Sequence, residues 1–282
     1  MATIRDLKSR IESIKSTKQI TNAMKMVAAA KMRRAQETIV KARPYADQTN
    51  KMIQLIKHKN IASVHPLIKQ REEGKKAVII VTSDRGLCGS FNSNIIRKAK
   101  EYYEKNGKVD TISLGAKGYR FLKKLDLPII DSYLDLFNEM DFTVSKQVAQ
   151  QIIELYLDEG YAKIEVIYNE FKSAIQQNIV VKQLLPILPP EEEHPQTDFV
   201  YEPDEDTIIE ELGNKYINVE IWRIMLESSA AEQGARMTAM DSATENAIEM
   251  IDKLSLQYNR MRQATITKEI IEISSGAEAM NN

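Results

Sequence analysis

Residues 206–280 read DTIIEELGNKYINVEIWRIMLESSAAEQGARMTAMDSATENAIEMIDKLSLQYNRMRQATITKEIIEISSGAEAM, and this stretch decides the fold. No proline follows Pro203, and the only glycines are Gly213, Gly234 and Gly276. Interior Pro and Gly are the residues that most penalise a helix, so the run predicts one continuous helix. At ~1.5 Å per residue it would be roughly 110 Å long. A compact domain of this chain length has a radius of gyration of about 19 Å, so the helix is expected to project beyond any globular body. Its apolar positions begin with Ile208, Ile209, Leu212, Ile217, Ile221 and Leu226. They continue through Ala230, Ala231, Gly234, Met237, Met240, Thr244, Ala247, Ile248, Ile251, Leu254, Tyr258 and Met261. A stripe of Ala, Met and Ile with few aromatics suits a narrow helix–helix seam.

The other end of the chain offers the partner. Thr3 is a candidate N-cap. Ile4, Leu7, Ile11 and Ile14 follow a 3-4 spacing that passes through polar Lys18, Thr21 and Lys25. It recovers at Ala28, Met32, Ala35, Ile39 and Ala42. Across the polar gap the stripe is expected to shift to Ile20, Met24 and Val27, a local change of twist. Pro44 is expected either to kink this helix or to mark where it leaves its partner. The pattern resumes at Met52, Ile53, Leu55 and Ile56 and fails by Pro66. The two terminal stripes are alike in character, which predicts an antiparallel coiled coil of residues 1–60 with residues 206–280.

Between them the periodicity changes. Ala77-Val78-Ile79-Ile80-Val81-Thr82 is a short β-branched run that reads as a buried strand. Further strands are expected at 109–114, 128–130, 162–168 and 178–185, the last two a hairpin joined by 169–177. Helices are expected at 92–105, 115–125 and 143–158, with Gly107 and Gly160 as stops. Strand–helix alternation implies an α/β domain over 75–203 with a mainly parallel sheet. Phe199-Val200-Tyr201 would add an edge strand.

Composition narrows the function. The 282 residues are 43% hydrophobic and 28% charged, with a net charge of −1. No run approaches the roughly 18–20 apolar residues that span a bilayer, so no direct membrane insertion is expected. The N-terminus starts as charged helix, with no signal-peptide segment. The single cysteine, Cys88, excludes an intramolecular disulfide and points to a reducing compartment. Residues 1–60 hold fourteen Lys/Arg against four Asp/Glu, whereas 187–214 hold ten Asp/Glu and no Lys/Arg. A basic helix suits nucleic acid, an anionic membrane or an acidic protein surface. It lacks aromatic interleaving and shares its length with an apolar seam, which argues against nucleic acid.

Catalytic chemistry finds little support. Ser83-Asp84-Arg85-Gly86-Leu87-Cys88-Gly89-Ser90 follows a strand and precedes a helix. It lacks both the GxGxxG spacing and the closing Lys-Ser/Thr of a phosphate loop. It could hold an anion on helix N-terminal amides, but reads better as a structural turn. His58, His65 and His194 are scattered, so with one cysteine no metal site is expected. No catalytic residue, cofactor or metal is assigned.

Several segments together resemble one family. Ile14-Lys15-Ser16-Thr17-Lys18-Gln19-Ile20-Thr21-Asn22-Ala23-Met24-Lys25-Met26-Val27-Ala28-Ala29-Ala30-Lys31-Met32 resembles the N-terminal helix of F-type ATP synthase γ subunits. The 83–89 loop resembles that family's central-domain loop, and Tyr201-Glu202-Pro203-Asp204 the lead into its last helix. Ala235-Arg236-Met237-Thr238-Ala239-Met240 with Asn246, and Ile266–Ala277, resemble its middle and C-terminal signatures. The matches run in the family's order along nearly the whole chain.

The resemblance implies an α/β fold class: a long antiparallel coiled coil of the terminal helices with an inserted Rossmann-like domain. It implies a non-catalytic rotor shaft that couples proton flow through a c-ring to ATP synthesis or hydrolysis at β-subunit sites. The implied partners are the hexamer of α and β subunits, the ε subunit and the c-ring. By position, Met24, Lys25, Arg236, Gln263, Thr267 and Glu269 would meet β-subunit loops. Ile266, Ile270, Ile271, Ile273, Gly276 and Ala279 would lie in an apolar bearing. Tyr201, Glu202 and Asp204 would face ε and the c-ring. The implied location is peripheral, on the cytoplasmic face of a bacterial cell membrane. The dithiol switch of chloroplast relatives has no second cysteine here. The alternative that the residues leave open is a coiled-coil adaptor with an α/β head and no enzymatic role.

Overall fold

The computed structural model describes residues 3–58, 66–137, 140–173, 176–188 and 205–281. Ten elements follow in order: α1 (Ile4–His58), β1 (Lys75–Val81), α2 (Phe91–Asn106), β2 (Asp110–Leu114) and α3 (Ala116–Lys124). Then come β3 (Ile129–Tyr133), α4 (Phe142–Asp158), β4 (Tyr161–Phe171), β5 (Gln177–Leu185) and α5 (Glu205–Asn281). The chain divides into two compact units, Met1–Val27 with Met237–Asn282, and Ala28–Arg236.

The larger unit is built on a five-stranded sheet of order β3-β2-β1-β4-β5. β1 pairs in parallel with β2 and β4, and β2 with β3. Only β4 and β5 are antiparallel, the expected hairpin, with pairing that extends to Phe171 opposite Gln177. The hairpin loop is therefore shorter than the pattern suggested. β1 is covered on both faces, so it reads as an unbroken apolar run. Ile79, Val81, Ile112 and Val166 pack with α4 and with Ile217, Ile221 and Ile224 of α5. Val78, Ile80 and Ile167 pack on the other face with Phe91, Ile95 and Ala99 of α2 and Leu122 of α3. The α2 helix ends at Gly107, whose φ of 77° suits a residue without a Cβ and whose N–H reaches the Tyr103 carbonyl.

The α1 helix runs through Pro44. One expectation for it needs correction. The buried stripe does not shift across the polar gap. Thr21 is buried, whereas Ile20 and Val27 are 60% and 57% exposed. The original 3-4 register simply continues: Leu7, Thr21, Ala28, Met32, Ala35, Ala46, Thr49 and Ile53 are its buried members. Polar side chains occupy seam positions because they find polar partners there. The expected edge strand at Phe199–Tyr201 lies outside the described residues.

Candidate functional site

In the smaller unit α1 and α5 run antiparallel. Thr21 Oγ1 lies 2.7 Å from Thr244 Oγ1, and Lys25 Nζ donates to Asp241 Oδ1. Met240 and Ala247 are buried on the α5 side, with Thr244 between them. Carried along in the register of Thr21 and Thr244, Ile4 falls opposite Met261. Beyond that point α5 has no α1 residues to pair with. Its isoleucines are correspondingly open: Ile266 is 46% exposed, Ile270 61%, Ile271 58% and Ile273 73%. Gln263, Thr267, Glu269 and Gly276 are exposed on the same segment. The Thr267 hydroxyl donates back to the Gln263 carbonyl at 2.9 Å. A Cβ added at Gly276 would meet nothing within 4 Å.

In the larger unit α5 carries buried charge. Glu220 accepts from Lys182 of β5 and from Arg223 at 3.0 Å. Burial alone pushes the Glu220 carboxyl up, but the Lys182 and Arg223 charges outweigh it and hold it below the usual value. Arg223 also reaches Glu227 at 3.3 Å. There burial wins, and the Glu227 carboxyl is pushed up despite the Arg223 charge. A cavity of about 1120 Å³ opens beside this cluster, lined by Val40 and Arg43 of α1, Phe171, and Trp222 and Arg223 of α5. Phe142 stands edge-on to Trp222 at its wall, with ring centroids 5.9 Å apart.

Further along α5, Arg236 donates to Glu232 at 2.6 Å and to the Gly86 carbonyl at 3.2 Å. Both side chains are close to nine-tenths buried or more. Burial pushes the Glu232 carboxyl up, and the Arg236 charge offsets only part of that. The 83–90 loop is thus a turn bonded to α5, with Ser83 and Cys88 buried and Arg85 and Leu87 exposed. Ser83, Cys88 and Asn92 close on one another beneath it, with Asn92 Nδ2 3.2 Å from the Cys88 sulfur.

The residues expected at partner surfaces therefore fall into four groups. Gln263, Ile266, Thr267, Glu269, Ile270, Ile273 and Gly276 come together on the unpaired end of α5. Met24 is half-buried, and Lys25 is turned across the seam to Asp241 rather than outward. Arg236 is committed inside the chain. Tyr201, Glu202 and Asp204 lie outside the described residues. Among the described residues no group of three His, Cys, Asp or Glu could hold a metal ion. No described helix is long and apolar enough to cross a membrane.

A family model described as ATP synthase matches residues 3–280. An ATP synthase gamma chain of Prosthecochloris aestuarii is 48% identical, over 99% of each chain. The chain belongs to the ATP synthase gamma chain family. The gamma chain of Chloroherpeton thalassium is 44% identical, again over 99% of each. Among solved structures, a chain of the Tetrahymena thermophila mitochondrial ATP synthase central stalk and c-ring is 26% identical with a TM-score of 0.60. That match covers 79% of this chain and 99% of the other. A chain of the Euglena gracilis mitochondrial enzyme has a TM-score of 0.72 at 22% identity, over 98% and 94%, a likeness of fold. As a gamma chain the protein is a non-catalytic subunit of ATP synthase and part of its central stalk rotor.

Sequence reasoning missed several residues that organise this gamma chain: Asp84, Glu220, Glu232, Asp241 and Thr244 as a polar partner. Glu232 and Arg236 stand four residues apart, as do Arg223 and Glu227, a spacing that ordinarily marks an exposed helical ion pair. Their burial is set by the sheet packed against them, which no local pattern reports.

Proposed function

We propose that the helix pair of this gamma chain turns inside a ring of alternating α and β subunits, driven through ε and the c-ring by ion flow. The unpaired end of α5 would seat in an apolar bearing of that ring. The observation that carries this is the run of open isoleucines where α1 has ended. A surface helix normally hides such residues, and an apolar collar would cover them with few specific bonds, as a turning part requires. Gln263, Thr267 and Glu269, interleaved with them, would meet β-subunit loops. Met24 and Lys25 would meet them lower on the helix pair, Lys25 with its charge already shared with Asp241. Arg236 would join that contact only by leaving Gly86 and Glu232. Tyr201, Glu202 and Asp204 would face ε and the c-ring, and the 75–203 region would be the foot domain. The subunit would sit peripherally on the cytoplasmic face of a bacterial cell membrane.

The mechanism is differential contact. One asymmetric helix pair inside a three-fold ring offers a different surface to each β subunit, so chemically equal sites are held in different states. It biases a site only through contacts that differ between those states. Inverting a 1:99 equilibrium takes about 5.5 kcal/mol of such difference.

Reconstitution tests this. The purified chain, mixed with α and β subunits, should assemble and support ATP-driven rotation of a probe fixed to the α/β unit. Failure to join the ring, or a ring that hydrolyses ATP without turning the probe, would sink the reading.

A further inference from the structure

We propose that the 83–90 loop, Arg236 and Glu232 form a clasp locking α5 to the α/β body, and that Arg236 and Glu232 are positioning residues for torque transfer. The torque role rests on the rotor function; the clasp itself does not.

The loop is bound to the sheet on one side. Thr82 N–H donates to the Leu114 carbonyl at 2.8 Å, and Lys117 N–H to the Ser83 carbonyl at 3.1 Å. Asp84 accepts from the backbone of Ala116 and Asp135 at 3.0 Å each and from Phe137 at 3.2 Å. One carboxylate thereby ties the segments that follow β2 and β3 to the end of β1. Ser83 N–H donates to Asn92 Oδ1 at 3.0 Å, which adds the first turn of α2. On its other side the loop presents the Gly86 carbonyl to Arg236. Beside the apolar packing of α5 on the sheet, this charge-assisted hydrogen bond, braced by Glu232, gives load on these elements a direct polar route to α5.

Two features make this a joint, not incidental packing. An apolar pair would fill the space at lower desolvation cost, so a buried ion pair here is poorly explained by stability alone. One guanidinium nitrogen, Nη2 of Arg236, shared between a carbonyl and a carboxylate is instead directional. Position is the second feature. Arg236 is the last residue of the α/β unit, and α5 continues from Met237 into the other. The bond thus stands at the last residue of α5 that belongs to the α/β unit.

Cys88 supplies the test, being the only cysteine and 2% exposed beneath the loop. In the isolated full-length chain, N-ethylmaleimide should label the Arg236→Met, Glu232→Gln double variant about tenfold faster, equal to ~1.4 kcal/mol of easier opening. Removing both charges together avoids stranding one of them, and Arg236→Lys should restore part of the protection. Thermal unfolding run in parallel separates the clasp from general destabilisation: labelling that rises only in proportion to global unfolding overturns it. So does an unchanged labelling rate, the result expected if Arg236 serves partner contact alone. In the assembled ring, thermal angular fluctuation of a bead on the α/β unit should widen in the double variant. Faster labelling with unchanged fluctuation would retain the clasp and overturn its torque role.

Discussion

Glu220 ties β5 to α5 through Lys182, and its replacement gives a quantitative test. The residue is 2% exposed and binds one cation from β5 and one from its own helix. Glu220→Gln keeps the volume and removes the charge. Breaking a buried pair costs about 3–5 kcal/mol because the abandoned charge stays desolvated. Here the abandoned cations are only partly buried, with Lys182 29% and Arg223 33% exposed, and Arg223 keeps Glu227. Water can therefore recover part of the loss, which places the cost near the lower bound, about 3 kcal/mol. With an m-value of about 2 kcal/mol/M in urea, the midpoint should fall by roughly 1.5 M. Trp222, the only tryptophan, stands two residues away against Phe142 and reports the transition by fluorescence. The pH dependence has a definite sign. The folded-state pKa lies below the ordinary 4.5, so this contribution is present above pH 4.5 and is lost as pH falls through the folded value. The Gln variant should lack that acid limb. A midpoint shift under about 0.5 M would place the cluster with surface pairs and refute the reasoning.

Gly115 has φ 101°, and a Cβ there would stand 2.1 Å from the Thr82 carbonyl oxygen; Gly115→Ala should cost more than the ~1–3 kcal/mol of backbone strain alone, read by urea unfolding. Glu232 carries a raised pKa, so the folded state binds the extra proton between pH 4.5 and that value, and stability falls as pH rises through the window. Glu232→Gln should flatten that slope, and an unaltered profile in urea titrations would contradict the assignment. Glu269→Ala or Gln263→Leu should impair coupling or assembly in the reconstituted complex; normal ATP synthesis and assembly for both would remove them from the β-subunit contact. Ile270→Asp with Ile273→Asp should weaken assembly with α and β subunits on native gels while leaving the isolated chain's unfolding unchanged, since both side chains are already open.

The sequence carried the architecture well where the signal was local. The α5 helix was legible from missing proline, β1 from its β-branched run, and the β4–β5 hairpin from two short runs. The α1 stripe was legible too, but its polar interval was misread: Lys18, Thr21 and Lys25 looked like a break because hydropathy cannot tell a solvated polar residue from one with a partner across a seam. Thr244 and Asp241 lie more than two hundred residues away, and only the folded register brings them opposite. The same distance hid the clasp. Arg236 matched a family position, yet its bond to Gly86 joins elements separated by most of the α/β unit. The open isoleucines of α5 were readable as apolar but not as uncovered, which depends on where α1 starts.

The polar pairs in the seam have a consequence for the rotor. A stripe of Ala, Met and Ile is tolerant of sliding, because each heptad resembles the next. A slip of one heptad, about 10 Å along the axis, would carry Lys25 toward Ala247 and Thr21 toward Ile251. Lys25 would lose Asp241, Thr21 would lose Thr244, and apolar neighbours could replace neither. The Thr21–Thr244 contact, with Thr21 buried, thus penalises the slipped registers more than it stabilises the native one, the best-attested use of such residues in paired helices, while the more open Lys25–Asp241 pair adds little. Register in turn decides how much of α5 extends beyond Ile4, and so whether Gln263, Thr267 and Glu269 stand free for a partner or lie against α1. The polar interval near the middle of α1 and the exposed end of α5 are therefore one device: the first fixes the position of the second.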